Sequence, residues 1–287
     1  MLKKILIIAI GIGSVLPLLA GGGWTQLKHH GYVKTSAFYV SSDQHYTDVG
    51  LIDPNTTYKL FNLNIYGEYG LTDRLTLQGY FPFISRSLFN NTVSGTTGET
   101  IFPGDVINSV GDLDVSFKYG LIQNKPWVLS AMLTLGIPAG VSDGGYNGTL
   151  QTGDGEFNQM LQFDLSRGFS LGNASSWVSF YTALNNRTNG FSDEFRYGAE
   201  WGGQWINRKL LTVVRLYGVE SFQNGSSTEA ANSTSLFANN AEHFTASVEL
   251  GYQWNDHWGV SVNGAYALYG QLIFANPAYS GGVFYTW

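Results

Sequence analysis

Cysteine is absent from all 287 residues. The chain therefore forms no disulfide, offers no thiolate nucleophile, builds no Cys-ligated zinc site and carries no lipid-modified cysteine. Charge is scarce as well. Asp, Glu, Lys and Arg make up 13% of the chain, and 15 basic against 21 acidic residues leave a net charge of -6. Mild acidity without a basic stripe argues against a nucleic-acid partner. Long apolar runs are missing after the N-terminus. None approaches the roughly 20 residues a spanning helix needs, and the mean hydropathy is -0.05.

Histidine is sparse and scattered. His29 and His30 precede the first expected strand, His45 falls in a long loop and His257 in a short turn. His243 lies at an expected outer rim, where no motif joins it to a serine and an orienting group. Residues 143–156 carry Asp143, Asp154 and Glu156 among glycines, but their spacing is not that of a calcium loop. The expectation is no enzyme, no catalytic residue, no metal site and no cofactor.

What is abundant points elsewhere. Gly 36, Phe 18, Tyr 17 and Trp 8 in one chain suit many short strands and turns, and a wall with aromatic girdles. The first residues read as a secretory signal. Lys3 and Lys4 are followed by an apolar stretch broken by Gly11, Gly13, Ser14 and Pro17, then by small residues from Ala20 to Gly23. A cleaved signal over residues 1–22 and a single barrel domain over 23–287 are expected.

From Gly31 onward the chain alternates in segments of about ten residues. In one, Phe61, Leu63, Ile65 and Tyr69 oppose Asn62, Asn64, Tyr66 and Glu68. In another, Leu113, Val115, Phe117 and Tyr119 oppose Asp112, Asp114, Ser116 and Lys118. A third sets Phe244, Ala246, Val248, Leu250 and Tyr252 against Thr245, Ser247 and Glu249. About twelve such strands can be traced, that near 176–186 with ambiguous facing. The last alternates Tyr279, Gly281, Val283, Tyr285 and Trp287 with Ser280, Gly282, Phe284 and Thr286, and ends the chain on an aromatic.

Connections alternate in length. Residues 42–57, 87–109, 138–156 and 222–241 form long ones, whereas 71–74, 121–126, 169–175, 206–209 and 255–257 are tight. Tyr69, Tyr119, Trp127, Trp177, Trp201, Trp205, Trp254, Trp258 and Trp287 flank the tight turns. A soluble sandwich has no reason to gather Trp at one end; an interfacial girdle does. The pattern predicts an all-β, transmembrane, antiparallel up-and-down β-barrel with long extracellular loops and short periplasmic turns. Tyr279, Val283, Tyr285 and Trp287 belong to its closing strand. Its place is the bacterial outer membrane, with lipid and the barrel assembly machinery, the latter through the C-terminal strand, as partners.

The polar face collects Glu68, Asp112, Asp114, Lys118, Asp164, Glu194, Arg196, Glu200, Arg215 and Glu249. An ionised group facing lipid at the midplane costs up to a few kcal/mol, so these are expected to line a lumen. With a dozen strands that lumen is either a narrow polar pore or a salt-bridged interior partly plugged by a loop. Asp112 and Asp114 are a constriction pair on one reading, and members of a network with Lys118 or Arg215 on the other.

Four stretches, 70–83 (GLTDRLTLQGYFPF), 111–121 (GDLDVSFKYGL), 133–140 (LTLGIPAG) and 152–168 (TGDGEFNQMLQFDLSRG), resemble an outer-membrane family of transporter-like barrels named for the meta-pathway of phenol degradation, with relatives in Bacteroidota. The resemblance implies passage of small, often hydrophobic or aromatic solutes and supplies no binding residues. The expected function is passive or gated passage of small solutes. The alternative is a closed structural or interaction barrel whose loops bind a partner or anchor a surface assembly.

Overall fold

The computed structural model describes residues 22–226 and 235–287; the expected signal segment falls almost wholly outside them. Fifteen strands occur among the described residues: β1 (Gly31–Tyr46), β2 (Ile52–Thr72), β3 (Leu75–Phe89), β4 (Thr92–Val93), β5 (Thr100–Phe102), β6 (Asp105–Ser109), β7 (Leu113–Ile122), β8 (Trp127–Ile137), β9 (Asn158–Leu171), β10 (Ala174–Asn186), β11 (Glu194–Trp205), β12 (Leu210–Ser221), β13 (Glu242–Gln253), β14 (Trp258–Gln271) and β15 (Ala278–Thr286). Each wall strand pairs antiparallel with its neighbours in sequence, and β1 pairs with β15 from Tyr32↔Thr286 to Val40↔Ala278. β6 and β7 occupy one place beside β3, and β4–β5 is a hairpin of its own, so the wall is a closed barrel of twelve staves.

Burial is inverted relative to a soluble protein. Glu156, Asn239, Thr76, Thr152, Ser85, Ser130, Ser166 and Ser192 are among the most deeply buried side chains, whereas Val262, Leu268 and Leu184 are more than half exposed. A polar inside and an apolar outside require hydrocarbon around the barrel. Period-two alternation produces this directly, since one face of each strand meets lipid and the other the lumen.

Two expected long loops are shorter than their sequence suggests. β1 and β2 remain paired out to Tyr46↔Ile52, so the 42–57 connection is mostly a hairpin extension. The 87–109 connection likewise continues as strand to Phe89, resumes at Asp105 and carries the β4–β5 hairpin, with Val93, Ile101 and Phe102 exposed at its tip. Trp177 is a correction. It does not join the girdle but turns inward, where its indole Nε1 donates to Glu200 at 2.6 Å. Gly202 opposite makes the room, because a Cβ there would sit 2.0 Å from the indole ring.

Residues 22–27 run inside the barrel at its short-turn end. Lys118 Nζ donates to the Gly22 carbonyl at 2.7 Å, Gly23 N donates to Ser166 Oγ at 2.7 Å, and Gln26 N donates to Thr76 Oγ1 at 2.8 Å. Gln26 Nε2 also reaches Glu68 at 2.9 Å. Gly22 has a φ of +66°, and a Cβ there would meet Ser179 Oγ at 2.3 Å, so this close passage needs glycine. This strap crosses from β10 and β9 to β3 and β2.

Closure depends on a second close approach. At Ser36↔Gly282 the strands leave no space on β15, and a Cβ on Gly282 would lie 2.2 Å from the Thr35 carbonyl oxygen. Gly282→Val is therefore expected to prevent closure, seen as loss of the heat-modifiable band in electrophoresis. Val283→Ala on the outward face should keep that band. A normal barrel from Gly282→Val would show that the β1–β15 contact does not limit folding.

Candidate functional site

A cavity of about 430 Å³ lies inside the barrel. One side of it carries a chain of charges. Lys34 on β1 bonds to Glu249 on β13 at 2.9 Å, Glu249 to Arg215 on β12 at 2.9 Å, and Arg215 to Glu200 on β11 at 2.7 Å. Trp177 on β10 ends the chain on Glu200, and Ser261 adds a 2.7 Å bond to Glu249. An aromatic cluster adjoins this chain, with Phe284 opposite Lys34 in the β1–β15 register. Tyr32 stacks on Phe284 with centroids 5.6 Å apart and meets Tyr66 edge-on at 6.2 Å. Tyr66 in turn donates its hydroxyl to Glu68. Buried charges with this many partners hold fixed positions, which makes the chamber preorganised rather than fluid.

Other inward charges serve the two ends. At the short-turn end, Lys118 holds the strap, and Asp164 accepts from Gln162 at 2.7 Å and Ser130 at 3.5 Å. At the outer end, Asp112 bonds to neither Lys118 nor Arg215. Its carboxylate accepts backbone N–H groups from Ala139 at 3.0 Å, Gly140 at 2.8 Å and Asp154 at 2.8 Å. Asp112 thereby folds the 138–156 loop inward, and Leu150, Thr152 and Glu156 of that loop are fully buried. Asp114 sits beside Tyr80 in the β3–β7 register, with no hydrogen bond to its carboxylate among the described residues.

A second ion cluster locks the loop. Arg187 faces Asp154 at 3.5 Å, Glu156, and Glu194 at 2.7 Å, and Glu194 also binds Arg196 at 2.6 Å. The Arg187 guanidinium lies 4.5 Å from the Phe191 ring centroid. Sequence reasoning found Glu194 and Arg196 but not Arg187 or Lys34. Lys34 had a signal, since it shares the inward phase of Tyr32 and Ser36. Arg187 had none, because it sits past the end of β10. His243 contacts Thr245 rather than a catalytic group, and no group of metal-ligating residues occurs among the described residues.

Glu156 is the titratable element of this lock. Burial pushes its carboxyl up to about 7, against the pull of Arg187 and with a further upward push from Asp154. An ordinary carboxylate titrates at about 4.3, so the closed loop holds this proton more tightly than an open loop would. Closure is at full strength below that ordinary value and weakens as pH rises through about 7. Deuterium exchange across 138–156, corrected for intrinsic rate, should therefore be faster at about pH 8.5 than at about pH 5.5. Glu156→Gln should flatten the difference; an unchanged pH dependence in that variant would assign it to another group.

No family model and no curated protein sequence matches the chain. Solved structures do. An outer-membrane channel from Pseudomonas putida F1 superposes with a TM-score of 0.57 at 16% identity, over 94% of this chain and 100% of that one. The β domain of the Bordetella autotransporter BrkA superposes with a TM-score of 0.50 at 14% identity, over 91% and 100%. Together with the apolar outer wall, these likenesses in fold mark the chain as a β-barrel of the bacterial outer membrane.

Proposed function

We propose that this barrel passes small solutes across the outer membrane through its central chamber, with the 138–156 loop as the outer gate. The observation that carries the reading is the chamber itself: a space of about 430 Å³ lined by a fixed ion chain and by the aromatic faces beside it. A barrel built only as a scaffold gains nothing from holding such a volume open inside a polar interior, whereas a solute path needs one. The aromatic faces suit small planar or partly apolar solutes, as the resemblance to the meta-pathway barrels implies. Around the chamber, Glu68, Glu200 and Glu249 stand against Lys34 and Arg215, an excess of one acid. That favours neutral solutes and cations weakly over anions.

A specific observation favours the second reading, a closed barrel whose loops bind a partner: the strap occupies one end and the pinned loop the other. Conductance in a planar bilayer separates the two. Wild type should show small, cation-leaning steps, and Asp112→Ala, which frees the three N–H groups that hold the loop, should raise the open fraction or the step size. Silence from both proteins, each with an intact heat-modifiable band, would favour the closed barrel.

A further inference from the structure

The outer wall carries a charge where alternation otherwise puts apolar residues. β9 presents Leu161, Phe163, Leu165, Arg167 and Phe169 outward, all exposed, and turns Asp164 and Ser166 into the lumen, where both are buried. Arg167 therefore stands in the row of side chains that meets hydrocarbon. The register sets it directly opposite Trp127, the first residue of β8, and its guanidinium lies 5.6 Å from the Trp127 ring centroid. Trp127 flanks one of the tight turns. This is the level of the periplasmic girdle, where hydrocarbon gives way to lipid headgroups.

The charge has no counterpart in the protein. The ion pairs among the described residues all use Lys34, Arg187, Arg196 or Arg215, and none reaches Arg167. Lys125, two residues before Trp127 in the β7–β8 turn, is exposed and equally without an ion pair among the described residues. Neither adjoining turn brings an acid. Residues 121–126 read LIQNKP, and residues 171–174 read LGNA. Two cations thus share one corner of the wall from which carboxylates are missing.

The residue types fit one kind of anion. A guanidinium is weakly hydrated, packs one face on an aromatic ring and keeps its N–H edge for bidentate contact with a phosphate. A lysine two residues from the indole adds a second, flexible donor. Towards the midplane, Leu165 pairs with Leu129 and Leu161 with Leu133, and Phe163 lies between them. That surface is apolar and continuous, as an acyl chain requires. A headgroup that carried its own amine would find no carboxylate in either turn to receive it.

We infer that Arg167, Lys125 and Trp127 form a site on the outer wall for an anionic phospholipid of the inner leaflet. Its phosphodiester lies on the two cations, and one acyl chain runs along Leu165 and Phe163. The headgroup is of the phosphatidylglycerol type, with net negative charge, rather than a zwitterion. The site is independent of solute passage, since an open and a closed barrel would present the same corner to lipid.

The full-length barrel, purified in non-ionic detergent, is mixed with equal amounts of phosphatidylglycerol and phosphatidylcholine of the same acyl chains. Bound lipid is then read by native mass spectrometry. Wild type should retain phosphatidylglycerol in preference, as a single adduct. Arg167→Gln with Lys125→Gln should weaken that adduct roughly tenfold, the loss expected for a charge-assisted contact. Arg167→Lys, which keeps the charge without the fork, should fall between the two. Arg208→Gln with Lys209→Gln removes equal charge from the β11–β12 turn and should leave the adduct intact. If the first double variant lacks a heat-modifiable band, Lys125→Gln alone, in a turn outside the wall, makes the same comparison. Equal retention of the two lipids by wild type overturns the site, as does an adduct unchanged by loss of Arg167 and Lys125. An equal loss in the Arg208 and Lys209 variant overturns it too, by assigning retention to bulk charge. Inorganic phosphate in large excess should not displace the lipid; displacement would mean a site for soluble phosphate instead.

Discussion

A backbone N–H or C=O facing hydrocarbon has no water to bond, so a sheet in a membrane cannot have a free edge. Everything in this molecule depends on how that demand is met where the chain's two ends come together. β1 and β15 exchange bonds along nine paired residues, and Gly31 and Trp287 close the ladder reciprocally at 3.1 Å each way. Gly282 permits the approach by having no side chain to place. Once that junction exists, inside and outside are defined for every residue of the wall, and the alternating sequence sorts itself without further instruction.

Closure also creates the chemistry of the interior. Lys34 and Glu249 are 215 residues apart and become partners only because β1 pairs with β15, which brings it round to within two strands of β13. The charge chain from Lys34 to Trp177 therefore exists only in the finished barrel. It follows one arc of the wall, β1 and β13 to β10, while the strap follows the opposite arc from β2 to β10. Between them lies the chamber, where Phe284 pairs with Lys34 across β1 and β15 and so sets rings beside the ion pairs. Small hydroxyl residues such as Ser166 and Ser179, bonded to each other at 2.8 Å, leave the strap its space.

The wall was legible in the sequence because lipid and lumen impose opposite demands on neighbouring residues. The alternations at 61–69, 112–119 and 244–252 all became staves. Where both faces of a strand meet water the signal fades, which is why Ile52–Thr57 read as loop although it continues β2. Facing was hardest on β10. Trp177 next to a tight turn looks like a girdle residue, and only Gly202 on the adjacent strand, a cross-strand fact, shows that the indole turns inward. Ion-pair choice was less legible still. Asp112 seemed to want Lys118 or Arg215, both charged and both inward, yet it is spent on three backbone N–H groups of a loop whose path no periodicity describes.

Arg187 gives the outer mouth a particular mechanical character. Asp154, Glu156 and Glu194 belong to the 138–156 loop and to β11; Arg196 also holds Glu194, and the Arg187 guanidinium bridges all three. Without it, like charges in a desolvated space repel strongly. The loop is thus tied to the wall at two points, by Arg187 through its carboxylates and by Asp112 through its backbone N–H groups. On the channel reading, such an assembly needs no motor and no lever: it opens by subtraction, when one of these ties is released.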